Sequence, residues 1–320
     1  MADPSSRLPP FGRLSFGAAN VGNLYRAMTD EQAHELLEAA WDSGIRYFDT
    51  APHYGLGLSE RRLGAFLTTR PRAEFVVSTK AGRLLRPTPA AGLDEAHGFV
   101  VPADSERVWD FSADGVRQSL EESLKRLGLD RVDILYLHDP EEHDLHPALG
   151  TGVRGVVRLR EEGLVDAVGV GSKSTDALLA AARTEALDLL MVAGRYTLAE
   201  QPALPELLPL CRDLGVGVVT AAVFNTGLLA TARPTAGGRY DYGEAAAATL
   251  ARVQAIADTC EELGVELPTA ALQYTLREPS VRTVVVGAAA PEQIRQSAAR
   301  MQEPVPEALW QRLAERGLAP

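Results

Sequence analysis

Four polar side chains stand at or just past the ends of apolar segments: Asp49 closes Y-F-D, Tyr54 follows in T-A-P-H-Y-G, Lys80 closes V-V-S-T-K and His138 closes I-L-Y-L-H. A charged group at the end of a buried strand is costly unless it is paired, so Lys80 and Asp49 are expected to meet. An ammonium beside a phenol favours the phenolate, which would draw the Tyr54 pKa down from about 10 and make the residue a general acid or base. His138 can hold and orient a substrate oxygen while Asp49 steadies Lys80. The set contains no nucleophile and needs no metal. Proton transfer at oxygen then leaves the difficult step to a cofactor, as hydride transfer would.

Each residue alone has a plainer reading: a rim aromatic for Tyr54, a surface cation for Lys80, a satisfied core histidine, an aspartate capping a turn. Their joint placement at strand ends is what argues for chemistry. The run His138, Asp139, Glu141, Glu142, His143, Asp144, His146 is rich in metal-ligating types, yet it has no helical His-Glu-x-x-His and no zinc spacing, so it reads as a solvated loop and no metal is expected. G-V-G-S-K-S-T, with Gly169, Gly171 and Lys173, lacks the spacing of a phosphate loop. Trp109, Phe111, Tyr240 and Tyr242 serve as loop anchors or pocket walls.

The elements that must position these groups follow from periodicity. Eight apolar segments of strand length recur at 13–16, 47–50, 75–79, 134–137, 165–170, 189–193, 216–222 and 283–286. Helical patterns fill the intervals at 30–43, 59–68, 113–127, 150–162, 175–183, 205–214, 244–263 and 291–301. Short, continuously apolar strands alternating with helices describe a parallel sheet covered on both faces. Eight such units predict an α/β fold, a (β/α)8 barrel forming one domain over 1–320. A doubly wound sheet is the alternative, but F-G-A-A-N-V-G from Phe16 is a poor match to its glycine fingerprint. Thr29 or Asp30, and Ser59, are expected to cap helices, and Gly44, Gly128, Gly163 and Gly215 to close them. Two long irregular stretches, 84–110 and 228–244, follow strands and belong at the carboxyl-terminal mouth, where barrel enzymes keep their sites.

Composition narrows the function. The chain has 320 residues, 46% hydrophobic and 23% charged, with 32 Lys and Arg against 43 Asp and Glu, a net charge of −11. Such a balance opposes a nucleic-acid partner. No apolar run approaches the roughly 20 residues of a membrane span, and Cys211 and Cys260 form no redox or disulfide spacing, so a cytoplasmic location is expected.

At this point the residues resemble the aldo-keto reductases, whose Asp, Tyr, Lys and His tetrad matches Asp49, Tyr54, Lys80 and His138 in order and spacing. G-I-R-Y-F-D-T-A-P-H-Y-G from Gly44, S-E-R-R-L-G from Ser59, S-L-E-E-S-L-K-R-L-G-L-D-R-V-D from Ser119 and V-V-V-G-A-A-A-P-E-Q-I from Val284 carry the match over essentially the whole chain. W-D-F-S from Trp109 and L-H-D-P from Leu137 narrow it to the branch of aldose 1-dehydrogenases, which act on L-fucose, D-arabinose or related sugars, and pyridoxal 4-dehydrogenases. The resemblance implies an NAD(P)-dependent oxidoreductase with a sugar or aldehyde substrate. General carbonyl reduction and a cofactor-binding regulatory subunit without turnover are the alternatives.

The resemblance also implies where ligands bind. Gly17, Ala18, Ser172, Phe224, Asn225, Gly227, Leu229, Gly287, Ala288 and Gln293 fall at cofactor positions, the pyrophosphate using backbone amides of F-N-T-G-L-L from Phe224 and the helix near Pro291. Asn20, His53, Trp109 and Asp139 fall at the substrate. Asn20 and Asp139 replace frequent aromatics and suit a polyol. Gly171 and Ser172 replace a usual Ser-Asn pair, Ala193 a frequent Gln and Ala221 a stacking tyrosine. Gly287, Ala288 and Gln293 bring no cation to a 2′-phosphate, which favours NAD while leaving NADP open through Arg295 or a loop arginine.

Overall fold

The computed structural model describes residues 8–90, 92–240 and 243–320; Tyr242 lies outside them. The strands are β1 (Leu14–Gly17), β2 (Tyr47–Asp49), β3 (Val76–Ala81), β4 (Arg83–Pro87), β5 (Ser105–Trp109), β6 (Ile134–His138), β7 (Ala167–Ser172), β8 (Leu189–Ala193), β9 (Gly217–Ala221), β10 (Arg239–Tyr240), β11 (Gly243–Glu244) and β12 (Val281–Val286). The helices are α1 (Asp30–Asp42), α2 (Leu58–Leu67), α3 (Ala113–Leu127), α4 (Leu145–Pro147), α5 (Val153–Glu161), α6 (Thr175–Ala182), α7 (Leu207–Leu214), α8 (Ala247–Glu262), α9 (Leu267–Tyr274), α10 (Pro291–Arg300) and α11 (Glu307–Glu315). Eight parallel strands close into a barrel in the order β1-β12-β9-β8-β7-β6-β3-β2, the architecture that the eight apolar segments predict.

Three expectations about elements need correction. The stretch 84–110 is not irregular throughout: β4 and β5 pair antiparallel from Arg83↔Trp109 to Pro87↔Ser105, a hairpin inserted between β3 and α3. The helix expected from Glu244 begins at Ala247, because Glu244 pairs with Arg239 in a second small hairpin. Ser59 is not a cap but lies inside α2, whose N-cap is Gly57. Helices α9 and α11 complete the set; α9 is buried nearly all round and so lacks the polar stripe that marks a surface helix. The expected glycines do end helices in the left-handed region, with φ of 83° at Gly44, 64° at Gly128, 75° at Gly163 and 70° at Gly215. Thr29 caps α1 in a reciprocal box with Gln32.

Alternation along each strand separates two cores. Outward side chains such as Phe16, Phe48, Val77, Leu135 and Val170 pack under the helices. Inward Tyr47, Val76, Ile134, Tyr136, Leu189, Met191, Val219 and Val285 fill the lower barrel, closed beneath by Phe11 on Tyr47 with ring centroids 5.2 Å apart. The interior is therefore packed, and only the layer above it can receive a ligand.

Inward positions at the carboxyl-terminal rim fall into two arcs. Walking round the sheet, Gly17, Gly287, Ala221, Ala193 and Gly171 stand at, just before or just after the ends of five neighbouring strands, and His138, Lys80 and Asp49 end or approach the end of the other three. One side of the mouth is floored by small residues and the other by titratable ones.

The segment S-E-R-R-L-G explains itself as scaffolding for that rim. Ser59 Oγ donates to the Ala18 carbonyl at 2.7 Å and sits 2.8 Å from Thr50 Oγ1. Fully buried Glu60 accepts from Thr79 at 2.7 Å and from Arg126 at 2.5 Å, while Arg62 reaches Asp30, Asn23 and the carbonyls of Val21 and Met28. The loop carrying Tyr54 touches the loop after β1 backbone to backbone: a Cβ on Gly22 would lie 2.8 Å from the Tyr54 carbonyl oxygen, and one on Gly55, at φ 61°, would overlap the Gly22 carbonyl. Gly55→Ala is expected to cost about 1–3 kcal/mol, measurable as a shifted midpoint in urea unfolding; an unshifted midpoint would show that the two loops part freely.

Candidate active site

Lys80 comes from β3 and Asp49 from β2, neighbours in register, so the sheet itself brings the pair together. Lys80 Nζ donates to Asp49 Oδ2 at 2.5 Å, to the Thr50 carbonyl at 3.0 Å and to the Tyr54 hydroxyl at 3.2 Å, which uses all three of its protons. Asp49 is held from below: its Oδ1 accepts from Ser78 Oγ at 2.6 Å, Ser78 lies 2.9 Å from the Tyr47 hydroxyl, and Tyr47 lies 3.3 Å from the Tyr136 hydroxyl. Burial pushes the phenols of Tyr47 and Tyr136 well above their usual value, so they stay neutral and serve as polar props.

The electrostatics correct one expectation. Burial raises the Tyr54 pKa above its ordinary 10, and the opposing pull of Lys80 does not overcome it. Lys80 itself is held charged: burial alone would favour the neutral amine, but Asp49 and then Tyr54 raise its pKa above the usual lysine value. The site thus rests with a neutral phenol beside an ammonium. His138 faces Tyr54 edge-on at 5.7 Å between ring centroids, and burial, aided by Arg83 and Lys80, holds its pKa well below the ordinary range. A neutral imidazole, able to donate one hydrogen bond, stands beside the phenol.

The wall over this group comes from the inserted hairpin. Arg83, at its first position and buried, donates to Asp139 Oδ2 and Glu142 Oε2, both at 2.9 Å, and lies 4.4 Å above the Trp109 ring. Trp109 stacks on His143 at 5.5 Å and on Phe111 at 5.8 Å, so it is wall and anchor at once. Burial raises the Asp139 pKa to about 6 against the pull of Arg83, and Asp139 Oδ2 lies 3.4 Å from His138 Nε2. On the other side Arg107 pairs with Asp94 and donates to the His53 carbonyl at 3.0 Å. The His53 ring sits among His97, Phe99 and His138. Burial lowers its pKa, and its Nδ1 meets no partner among the described residues. Arg83, Arg107 and Asp94 were not singled out in the sequence; arginines in a stretch read as irregular carry no periodic signal.

The residues implied for the cofactor divide. Gly17 and Gly287 line the β1–β12 edge, where Asn20, expected at the substrate, also lies: a Cβ on Gly287 would come 2.7 Å from Asn20 Oδ1. Ala288, expected at the cofactor, is instead buried in the outer core. Ala18 is fully buried, its amide spent on the Asp49 carbonyl and its carbonyl on Ser59, so it offers a ligand no backbone group. The expected amide cradle is also narrower than drawn, because the amides of Asn225, Gly227, Leu228 and Leu229 bond back within their own turn. That turn leaves Asn225 Oδ1 buried without a partner among the described residues, beside a Gly227 whose Cβ direction is open. Phe224, half-buried, packs against the outer core. Gln293 accepts from the Ala289 amide at 2.7 Å, and the first turn of α10 has no side-chain cap, Ala290 standing at that position. Ser172 Oγ donates to Glu141 and accepts from the Ser174 amide at 2.8 Å. Among the described residues no three His, Cys, Asp or Glu side chains converge as metal ligands.

Asp49, Lys80, Tyr54 and His138 on one arc face a floor of small residues on the other, and comparison with known proteins gives the class of protein to which this arrangement belongs. The model of the Aldo/keto reductase family matches residues 13–316, and the chain belongs to that family. It is 55% identical to the D-threo-aldose 1-dehydrogenase of a Pseudomonas species, over 96% of this chain and 94% of that one. It is 38% identical to the pyridoxal 4-dehydrogenase of Microbacterium luteolum, over 95% and 94%. A solved aldo-keto reductase from Bacillus halodurans shares the fold with a TM-score of 0.75 at 23% identity, covering 96% of this chain and 92% of that one. The chain is therefore an oxidoreductase that works with a nicotinamide cofactor. The small-residue arc, the uncapped start of α10 and the orphaned polar atoms of Asn225 and Glu141 fit such a group. Among the described residues no helix is long and apolar enough to cross a membrane.

Lys80→Met would leave Asp49 buried without its cation, a loss of about 3–5 kcal/mol. The double variant Asp49→Asn/Lys80→Met is expected to recover much of that in urea unfolding; equal losses in single and double variants would mean that the pair is not coupled.

Proposed function

We propose that the chain oxidises an aldose, in its ring form, at C1 to the lactone, with NAD as the preferred acceptor. The observation that carries this reading is the buried Asp49–Lys80–Tyr54 chain beside neutral His138, facing a floor of small residues. The similarity to the D-threo-aldose 1-dehydrogenase supports the sugar class.

The bound nicotinamide supplies the hydride acceptor. The protein does the rest. His138 donates a hydrogen bond to the reacting C1 oxygen and Tyr54 takes the hydroxyl proton, so that the C1–H electron pair leaves as hydride while the C=O bond of the lactone forms. Lys80 stabilises the phenolate form of Tyr54 that receives this proton, and Asp49 holds Lys80 in place. The wall residues His53, Trp109 and Asp139 surround the sugar, Asp139 accepting from a hydroxyl, and Arg83 fixes Asp139. Asn20 serves the edge shared with the cofactor. Asn225, Gly227 and Ser172, together with α10 and Gln293, hold the dinucleotide, with Gly17 and Gly287 leaving it room. Cys211 and Cys260, buried free thiols, fit a reducing cytoplasm. The acidic charge argues for a small-molecule partner and against nucleic acid.

NAD preference rests on the α10 edge. A cleft of about 170 Å³ there is lined by Asn20, Leu24, Arg26, Glu35, Ala289 and Pro291, so the cation near the helix start shares its space with a carboxylate. NAD is expected to bind at least about tenfold more tightly than NADP, and Gln293→Arg to narrow that gap; calorimetric titration showing tighter NADP would overturn the preference.

Purified protein with NAD is expected to form reduced nicotinamide with L-fucose, D-arabinose or L-galactose, followed by absorbance, with pyridoxal as the contrasting substrate. Tyr54→Phe should lower kcat by about 10²–10⁴ while leaving NAD binding near wild type; a variant that keeps most of its rate would refute the assignment.

Because the Tyr54 pKa is raised, the phenolate needed for oxidation is scarce at neutral pH. The oxidation rate should climb toward alkaline pH, while reduction of the product, which needs the protonated phenol, should not. Matching profiles in the two directions would exclude Tyr54 as the titrating group.

A further inference from the structure

The turn after β6 carries a feature that the proton-transfer chemistry does not use. Ser172, immediately beyond Gly171 at the end of β7, donates its hydroxyl proton to one oxygen of Glu141 and is itself fixed by the Ser174 amide. The other carboxylate oxygen, Oε2, is buried and meets no donor among the described residues. A buried carboxylate oxygen without a donor is expensive, so one is expected to arrive with a ligand. The turn is held over the rim, the Asp139 amide donating to the Gly171 carbonyl at 2.8 Å. Gly171 in turn borders the acid–base group, since a Cβ there would lie 3.9 Å from Lys80 Cε.

Chemistry selects the donor. A hydride passes only between carbons in contact, so the nicotinamide C4 must reach the carbon whose oxygen is held by Tyr54 and His138. The ring then lies over the small arc, whose member next to His138 is Gly171. Its carboxamide sits on the carbon beside C4 and carries two N–H donors at the ring edge. We propose that Glu141 Oε2 accepts a hydrogen bond from the nicotinamide carboxamide, with Ser172 positioning the carboxylate. This rests on the reading above that the ring occupies the small arc. Glu141 would thus fix which face of the ring meets the substrate.

The test compares two dinucleotides by direct binding, without turnover. NAD has the carboxamide, 3-acetylpyridine adenine dinucleotide replaces its NH2 with a methyl group, and ADP-ribose lacks the ring altogether. Wild-type protein should prefer NAD over the acetyl analogue by about tenfold or more. Glu141→Ala should abolish that preference and leave ADP-ribose affinity within about twofold of wild type. Glu141→Met, which keeps the volume, should do the same if the truncated variant does not fold. An unchanged preference in either folded variant would overturn the assignment, as would a parallel loss for ADP-ribose, which would mark a structural role. A raised sugar KM with the preference intact would move Glu141 to the substrate instead. Wild-type protein that binds ADP-ribose but not NAD more tightly would refute the placement of the ring itself.

Discussion

A lysine buried at the end of a core strand has to be neutralised, and almost everything at the mouth of this barrel follows from how that is done. Lys80 spends its three protons on Asp49, the Thr50 carbonyl and Tyr54. Since β2 and β3 are adjacent in register, the pair forms only when the sheet closes correctly. Asp49 in turn rests on Ser78, Tyr47 and Tyr136, so a line of hydrogen bonds runs from the packed interior to the phenol. The charge is tolerated where it stands because all three of its protons and both Asp49 oxygens have partners. The same satisfaction deprives Lys80 of freedom to act alone and makes its influence on Tyr54 a fixed field.

That field acts against burial rather than with it. Desolvation keeps Tyr54 protonated and His138 uncharged, with Arg83 and Lys80 adding to the effect on His138. A neutral donor and a reluctant acid side by side favour a substrate oxygen that is uncharged at rest. The charges that remain, on Lys80, Asp49 and Arg83, are all paired.

Much of this was legible in the sequence because its signals are local. The eight apolar segments, the helix-ending glycines and the polar residues closing strands each follow from periodicity or from the cost of a buried charge, and the rim residues Asp49, Lys80 and His138 fell where strand ends placed them. The hairpin was not legible, since its strands are half-exposed and lie in a stretch rich in proline and glycine that reads as irregular. The direction of the Tyr54 shift was missed because a sequence shows that a lysine is near but not how much water is absent. Glu141 looked like one acid among several in a solvated run; only the geometry separates its buried oxygen from the others. The backbone amides after β9 failed for a related reason: the motif announces a turn, and the turn consumes its own donors.

The hairpin is fastened at both of its ends by charge. Arg83 ties its first residue to Asp139 and Glu142, and Arg107 ties its returning strand to Asp94 and the His53 carbonyl. Between those clamps the tip meets the loop after β1 through the bridge Leu24↔Phe99, while Leu93↔Pro102 closes the tip on itself. The span between Pro87 and Ser105 is therefore tied to the rim: it carries Asp94, and its Phe99 ring packs against Tyr54 and His53 with centroids 6.2 and 5.4 Å apart, so a lineage that rewrote it would reshape the packing around the phenol together with the wall of the mouth.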